Sequence, residues 1–168
     1  MGKPAINVKS KWGSKKTENS IRLKAKTLGG ALEELEKLDE WGEFDGQIGF
    51  AYKAKSKKVT EVTLKPSYVI KMPVWAKYGG APKGAKKEWD RMYKALEKHE
   101  NIHRLLHLET YAIITDWLVK AEELTESDFK AQFKKLMTQG QKNQDKFDSS
   151  SDHGSKKGVE LNIKPEWE

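Results

Sequence analysis

From Glu88 to Leu124 the sequence contains neither Pro nor Gly, and apolar residues recur along it at helical spacing. Trp89, Met92, Tyr93 and Leu96 come first, followed by Ile102, Leu105, Leu106 and Leu108. That pattern predicts one long helix, a rod around which the remaining elements must be arranged. Within it lies His99-Glu100-Asn101-Ile102-His103, of the form H-E-x-x-H. Residues four apart on a helix differ by about 40° around the axis, so His99 and His103 leave the same face. Two neutral imidazoles on successive turns can hold one Zn²⁺. Glu100 beside them can accept a proton from a water on that ion. The plainer alternative is a charged helix face on which two histidines fall four apart, and the agreement of motif with helical context weighs against it.

The chain has 168 residues, enough for one domain with a real core, and its six Trp argue against disorder over most of the length. It has no Cys, so a metal here must use His, Asp or Glu. The formal net charge is +7. The lysines behind it are spread along the chain, which reads as a solvated surface. No RNP, helix-turn-helix or zinc-finger pattern is present, and no nucleic-acid partner is expected. The first residues, MGKPAINVKSKWGSKK, contain no apolar core of a signal peptide, and no run reaches membrane-spanning length. The expectation is a soluble chain without membrane insertion. If exported, it is a mature form or leaves by a route that does not use this kind of signal.

Residues 1–18 read as a flexible lead-in and 19–168 as one domain. Asn19 to Thr27 alternates Ile21, Leu23 and Ala25 with polar neighbours, the mark of a half-buried strand. Thr27 then introduces a short helix with Leu28, Leu32, Leu35 and Leu38 on one side, and Gly42 and Gly46 mark its exit. Three strands follow (QIGFAYKA, KVTEVTLK and SYVIKMPVW), with a hairpin at Lys55-Ser56-Lys57 and a turn at Lys65-Pro66-Ser67. Pro73 falls near a strand end, where its missing N–H is tolerated. Beyond the long helix, Thr125-Glu126-Ser127-Asp128 is a helix start, and a second helix runs from Asp128 to about Lys146 with Gly140 a weak point. The Ser- and Asp-rich DKFDSSSDHGSKKG reads as a loop, and VELNIKPEWE could add a strand.

Two histidines do not complete a catalytic zinc site, which takes three protein ligands and leaves one position open. His107 continues the series on the same helix but lies a further turn along. Glu122 is about 28 Å from His103 if the helix is unbroken, at about 1.5 Å per residue. It reaches the ion only if the helix breaks near Thr115. His153 lies in the expected loop, which is free to fold back over the helix, and Asp148 or Asp152 could fix its tautomer.

The H-E-x-x-H helix followed by Phe147, Asp148, Ser151, His153 and Gly154 resembles a family of bacterial proteins regarded as zinc-dependent proteases and often catalogued only as a domain of unknown function. Trp89 upstream of the motif and the Met72-Pro73-Val74-Trp75 turn match as well, and the similarity spans about Ile21 to Gly158. The chain has Phe147 where the family often has Tyr, and Ser151 where it often has Thr. The resemblance implies a zincin-like α+β domain, with a small antiparallel sheet packed on the long motif helix and additional helices. It also implies a zinc-dependent metallohydrolase acting on a peptide or protein substrate, secreted or directed to the cell envelope. His99, His103 and His153 would hold Zn²⁺, Glu100 would be the base, and Asp148 would orient a ligand. His107 and Tyr111 are candidates for contact with the substrate or its developing oxyanion. Two further readings stand beside this one. One is a basic interaction or toxin-like protein with a structural metal or none, and the other is a metallopeptidase acting on cell-wall peptides.

Overall fold

The structure, a computed structural model describing residues 5–168, is a mixed α+β chain. In order its elements are β1 (Asn7–Ser10), β2 (Lys15–Leu23), α1 (Leu28–Glu36), β3 (Glu43–Lys55), β4 (Lys58–Trp75), α2 (Lys83–Lys120) and α3 (Glu126–Ser151). Single 3₁₀ turns occur at Tyr78–Gly80, Ser155–Lys157 and Pro165–Trp167. The expected lead-in carries β1 and the start of β2; its first four residues lie outside the described ones. VELNIKPEWE forms no strand.

Strand β4 organises the sheet, pairing with β1, β2 and β3. The hairpin from β3 turns through Ser56 and Lys57, both with positive φ (50° and 63°), the conformation a two-residue hairpin turn requires. The sheet is not purely antiparallel, as the sequence suggested. β1 runs parallel to β4, with Asn7 opposite Glu61 and Ser10 opposite Leu64. Nor is there a turn at Lys65–Ser67, because β4 continues through Pro66. The carbonyl of Pro66 accepts from Gly13 N at 2.9 Å. A strand residue's N–H points to the same side as its C=O, so the missing donor faces the interval between β1 and β2. No regular ladder is interrupted there.

The helices begin where side chains cap them. Thr27 Oγ1 accepts from Gly30 N at 3.1 Å ahead of α1, and Thr125 Oγ1 accepts from Asp128 N at 3.1 Å ahead of α3. Such caps contribute about 1 kcal/mol each. The buried stripe of α2 comprises Ala85, Trp89, Met92, Leu96, His99, His103, His107, Thr110, Ile114 and Leu118, in steps of three and four. Ile102 and Leu105, which hydropathy assigns to the core, are 40% and 51% exposed. The histidines therefore hold positions that the pattern reserves for apolar side chains.

By contact the chain divides into two compact units. The first is Met1–Lys15, Asp45–Tyr68 and Arg104–Asp145, and the second is Lys16–Phe44, Val69–His103 and Lys146–Glu168. The first has its core where Val59, Val62 and Leu64 of β4 meet Ile114 and Leu118 of α2 and Phe129 and Phe133 of α3. In the second, Trp75 at the end of β4 stacks at a tilt on Trp89 of α2, ring centroids 5.7 Å apart, and its indole N–H donates to Ala25 O at 2.8 Å. Among the described residues no helix is long and apolar enough to cross a membrane.

Gly140 does not weaken α3, which runs unbroken past it. A Cβ there would lie 2.6 Å from Thr110 Oγ1 and 2.7 Å from its Cγ2, so glycine is what lets the two helices of the first unit approach. Alanine would gain about 1 kcal/mol of helix propensity, but the overlap outweighs that gain. Gly140→Ala should lower the thermal midpoint, and Thr110→Ala added to it should recover most of the loss. A stabilised single variant in a calorimetric scan would contradict this.

Candidate metal centre

His99 and His103 project from the buried stripe of α2, 6% and 7% exposed, with their Nε2 atoms 3.2 Å apart. Asp148 meets both, its Oδ1 lying 3.1 Å from Nε2 of His99 and 2.9 Å from Nε2 of His103. Sequence analysis gave Asp148 an orienting role and made His153 the third ligand. In the structure Asp148 stands directly against the imidazole pair, whereas His153 groups with Glu40 and Asp148. The difference arises because α3 does not end near Lys146. It runs on to Ser151, where the Ser150 and Ser151 hydroxyls donate back to Phe147 O at 3.0 and 2.9 Å, and this extra turn carries Asp148 to the histidines.

The chain then leaves the helix through three left-handed residues, Asp152, His153 and Gly154, with φ of 48°, 51° and 90°. At Gly154 the conformation and the space both demand glycine. A Cβ would lie 2.6 Å from Val159 Cγ2 and 3.1 Å from Nδ1 of His99. That Nδ1 is buried and has no hydrogen-bond partner among the described residues. Packing orients the ring instead: Gly154 lies along one edge, and Phe147 stacks on it with centroids 4.8 Å apart. Phe147 thus contributes a ring face to the His99 imidazole. Phe44 stacks in the same way on His103, at 6.1 Å and 14° between planes.

Glu100 is 3% exposed, and its carboxyl is pushed up to about 8 by burial first and then by the nearby Glu40, Asp148 and Glu43 carboxylates. Burial and Asp148 likewise raise Glu40. Burial, then the neighbouring His103, holds the His99 imidazole below its usual value, so it is kept neutral and able to donate a lone pair. The Gly42 backbone lies against the Glu100 side chain, since a Cβ there would come within 2.9 Å of Oε1. His99, Glu100 and His153 face a cleft of about 230 Å³ lined also by Asp39, Glu40, Trp41 and Asp152.

The other candidates are engaged elsewhere. His107 and Tyr111 belong to the first unit. His107 is buried beside Tyr68 and hydrogen-bonded to the Ser67 backbone, and the Tyr111 hydroxyl bonds to Ser10 Oγ. Glu122 is exposed in the link between α2 and α3. Sequence reasoning missed Glu40, Gly42 and Phe44, having read LDEWGEF as a helix exit. The signal was available as a run of acidic residues around a glycine in an otherwise lysine-rich chain.

The donors suit a small divalent ion. Bonds of about 2.0–2.1 Å to a tetrahedral centre set ligands about 3.3–3.4 Å apart. The three observed separations, 2.9 to 3.2 Å, need only slight expansion to match.

Glu100 also makes stability depend on pH. Its folded-state pKa is raised, so between about pH 4.5 and 8 the folded chain keeps a proton that the unfolded chain releases, and stability from this group falls as pH rises through that window. In chelator, the stability of Glu100→Gln relative to wild type should therefore grow across that range, by up to a few kcal/mol at about 1.4 kcal/mol per unit. Denaturant titrations at pH 5 and pH 8 that give the same difference would refute this.

A family model described as "Bacterial protein of unknown function (DUF922)" matches residues 14–154. No curated protein and no solved structure matches the chain. The match takes in every residue of the centre, from Glu40 to Gly154, and the chain belongs to this bacterial family.

Proposed function

We propose that the chain is a metal-dependent hydrolase of peptide or amide bonds, with Zn²⁺ as its ion. The observation that carries this reading is the meeting of His99, His103 and Asp148 at hydrogen-bond distance, with a buried carboxyl, Glu100, on the adjoining position of the same helix. An apolar helix stripe that instead holds two imidazoles facing a carboxylate loses hydrophobic burial, and a site is the natural return for that loss. His99 Nε2, His103 Nε2 and a carboxylate oxygen of Asp148 would hold the ion. Once bound, it would supply Lewis acidity toward a carbonyl and a water.

The remaining work falls to the chain itself. Glu100 takes a proton on its carboxylate from the water that adds to the carbonyl, and returns it to the amine as the C–N bond breaks. A base whose pKa lies near the working pH does both steps well, and its burial keeps competing water away. Phe147 and Phe44 keep the imidazole planes from turning. Gly42 leaves room for the Glu100 carboxyl, which a side chain at that position would displace. Glu100 lines the cleft beside Trp41, the side from which a substrate would approach it.

The purified chain should retain one Zn²⁺ through dialysis. His99→Ala, His103→Ala or Asp148→Ala should lose it, while His107→Ala and Glu122→Ala keep it. Elemental analysis decides this, and full occupancy in the His99→Ala/His103→Ala double variant would overturn the site. With peptide substrates, Glu100→Gln should keep the metal and lose about 10²–10⁴ in rate. Wild-type turnover by that variant would remove Glu100 from the mechanism. Gly42→Ala, which displaces the carboxyl without touching a ligand, should lower kcat by about 10²-fold at unchanged metal content.

A further inference from the structure

Asp148 belongs to two groups of ligand atoms. One contains His99 and His103, and the other contains Glu40 and His153. In each, the atoms lie within 4.8 Å of one another. We propose that a second divalent cation binds at Glu40, Asp148 and His153, and that Asp148 bridges it to the ion at His99 and His103. The inference rests on the reading above and extends it to a two-ion centre.

Two observations carry it. The first is geometric: one carboxylate has two oxygens, and a bridging carboxylate suits a pair of ions about 3.5–4 Å apart, the arrangement of two-metal hydrolases. The left-handed turn at Asp152 and His153 brings the His153 imidazole to the side of Asp148 where Glu40 stands. The second is charge. Glu40, Glu100 and Asp148 lie close enough to act on one another, and Glu43 nearby is taken up by Lys71 at 3.1 Å. In a chain with 32 Lys and Arg, none lines the cleft. The carboxylates beside His153 therefore have no cationic side chain in the cleft lining to neutralise them.

The two sites differ in character. The first is buried and has two nitrogens. The second has two carboxylates and one imidazole, and Glu40 and His153 are exposed, so water competes for the ion and binding is weaker. Such an oxygen-rich set accepts many divalent ions, Zn²⁺ more tightly than Mn²⁺. His153 thereby gains a role on the open side of the centre, facing the cleft.

The test is calorimetric titration of the metal-free full-length chain with Zn²⁺. Wild type should take up two equivalents, the second at least tenfold weaker than the first. Glu40→Gln and His153→Ala should each take up one, the tight one, and Asp148→Ala should lose both. Because Glu40 and His153 are surface positions, circular dichroism should show both variants folded. One equivalent in the wild type, or two in both Glu40→Gln and His153→Ala, overturns the second site while leaving the first. Loss of the tight ion in His153→Ala also overturns it, by moving His153 into the first site. No uptake by the wild type overturns this inference and the hydrolase reading together.

Discussion

The structure depends on keeping two imidazoles buried in a stripe of α2 that would otherwise be apolar, with a buried carboxyl on the position beside them. Left without partners, groups of this kind cost several kcal/mol each. The surrounding elements are arranged to meet that cost. The final turn of α3 brings Asp148 to both rings, Phe147 and Phe44 cover their faces, and glycines at 42 and 154 allow backbone to close over Glu100 and His99. Glu100 receives no such partner and holds its proton instead. Taking these three side chains out of α2 would leave Asp148, Gly42 and Gly154 without evident purpose.

Much of this could be read from the residues. The long helix, its motif, the cap at Thr125 and the hairpin at Ser56 follow from local rules, because each is fixed by neighbours close in sequence. The misreadings share a cause. Ile102 and Leu105 belong to the apolar pattern from which the helix was read, yet the buried stripe passes through His99, His103 and His107 instead. The end of α3 looked like a loop because Ser and Asp prefer turns, although Ser150 and Ser151 can return their hydroxyls to the helix itself. Pro66 suggested a turn because its role depends on a break in a strand more than fifty residues away.

The grouping of the candidate residues was the least legible part. Spacing alone places His99 and His103 side by side, but whether Asp148 or His153 stands against them depends on one extra helical turn. That turn exchanges their places: Asp148 faces inward from the helix, and His153 is swung outward to Glu40 by the left-handed residues. Glu40 itself comes from a segment between α1 and β3, with no motif to announce it. Residues joined only by tertiary structure leave little trace in local pattern.

The parallel pairing of β1 with β4 bears on how the chain comes to be folded. Asn7 and Glu61 bond across a separation of 54 residues, and no hairpin can join parallel neighbours. During synthesis the first strand emerges with nothing to pair with. The β3–β4 hairpin closes through its two-residue turn on a microsecond scale, and its outer edge then stays open until β1 returns to it. A long strand with an unclaimed edge also invites pairing with a neighbouring chain. The hazard to this protein is therefore concentrated in the interval between making β4 and recruiting β1, when the segment that protects the edge was made well before the edge itself and has yet to pair with it.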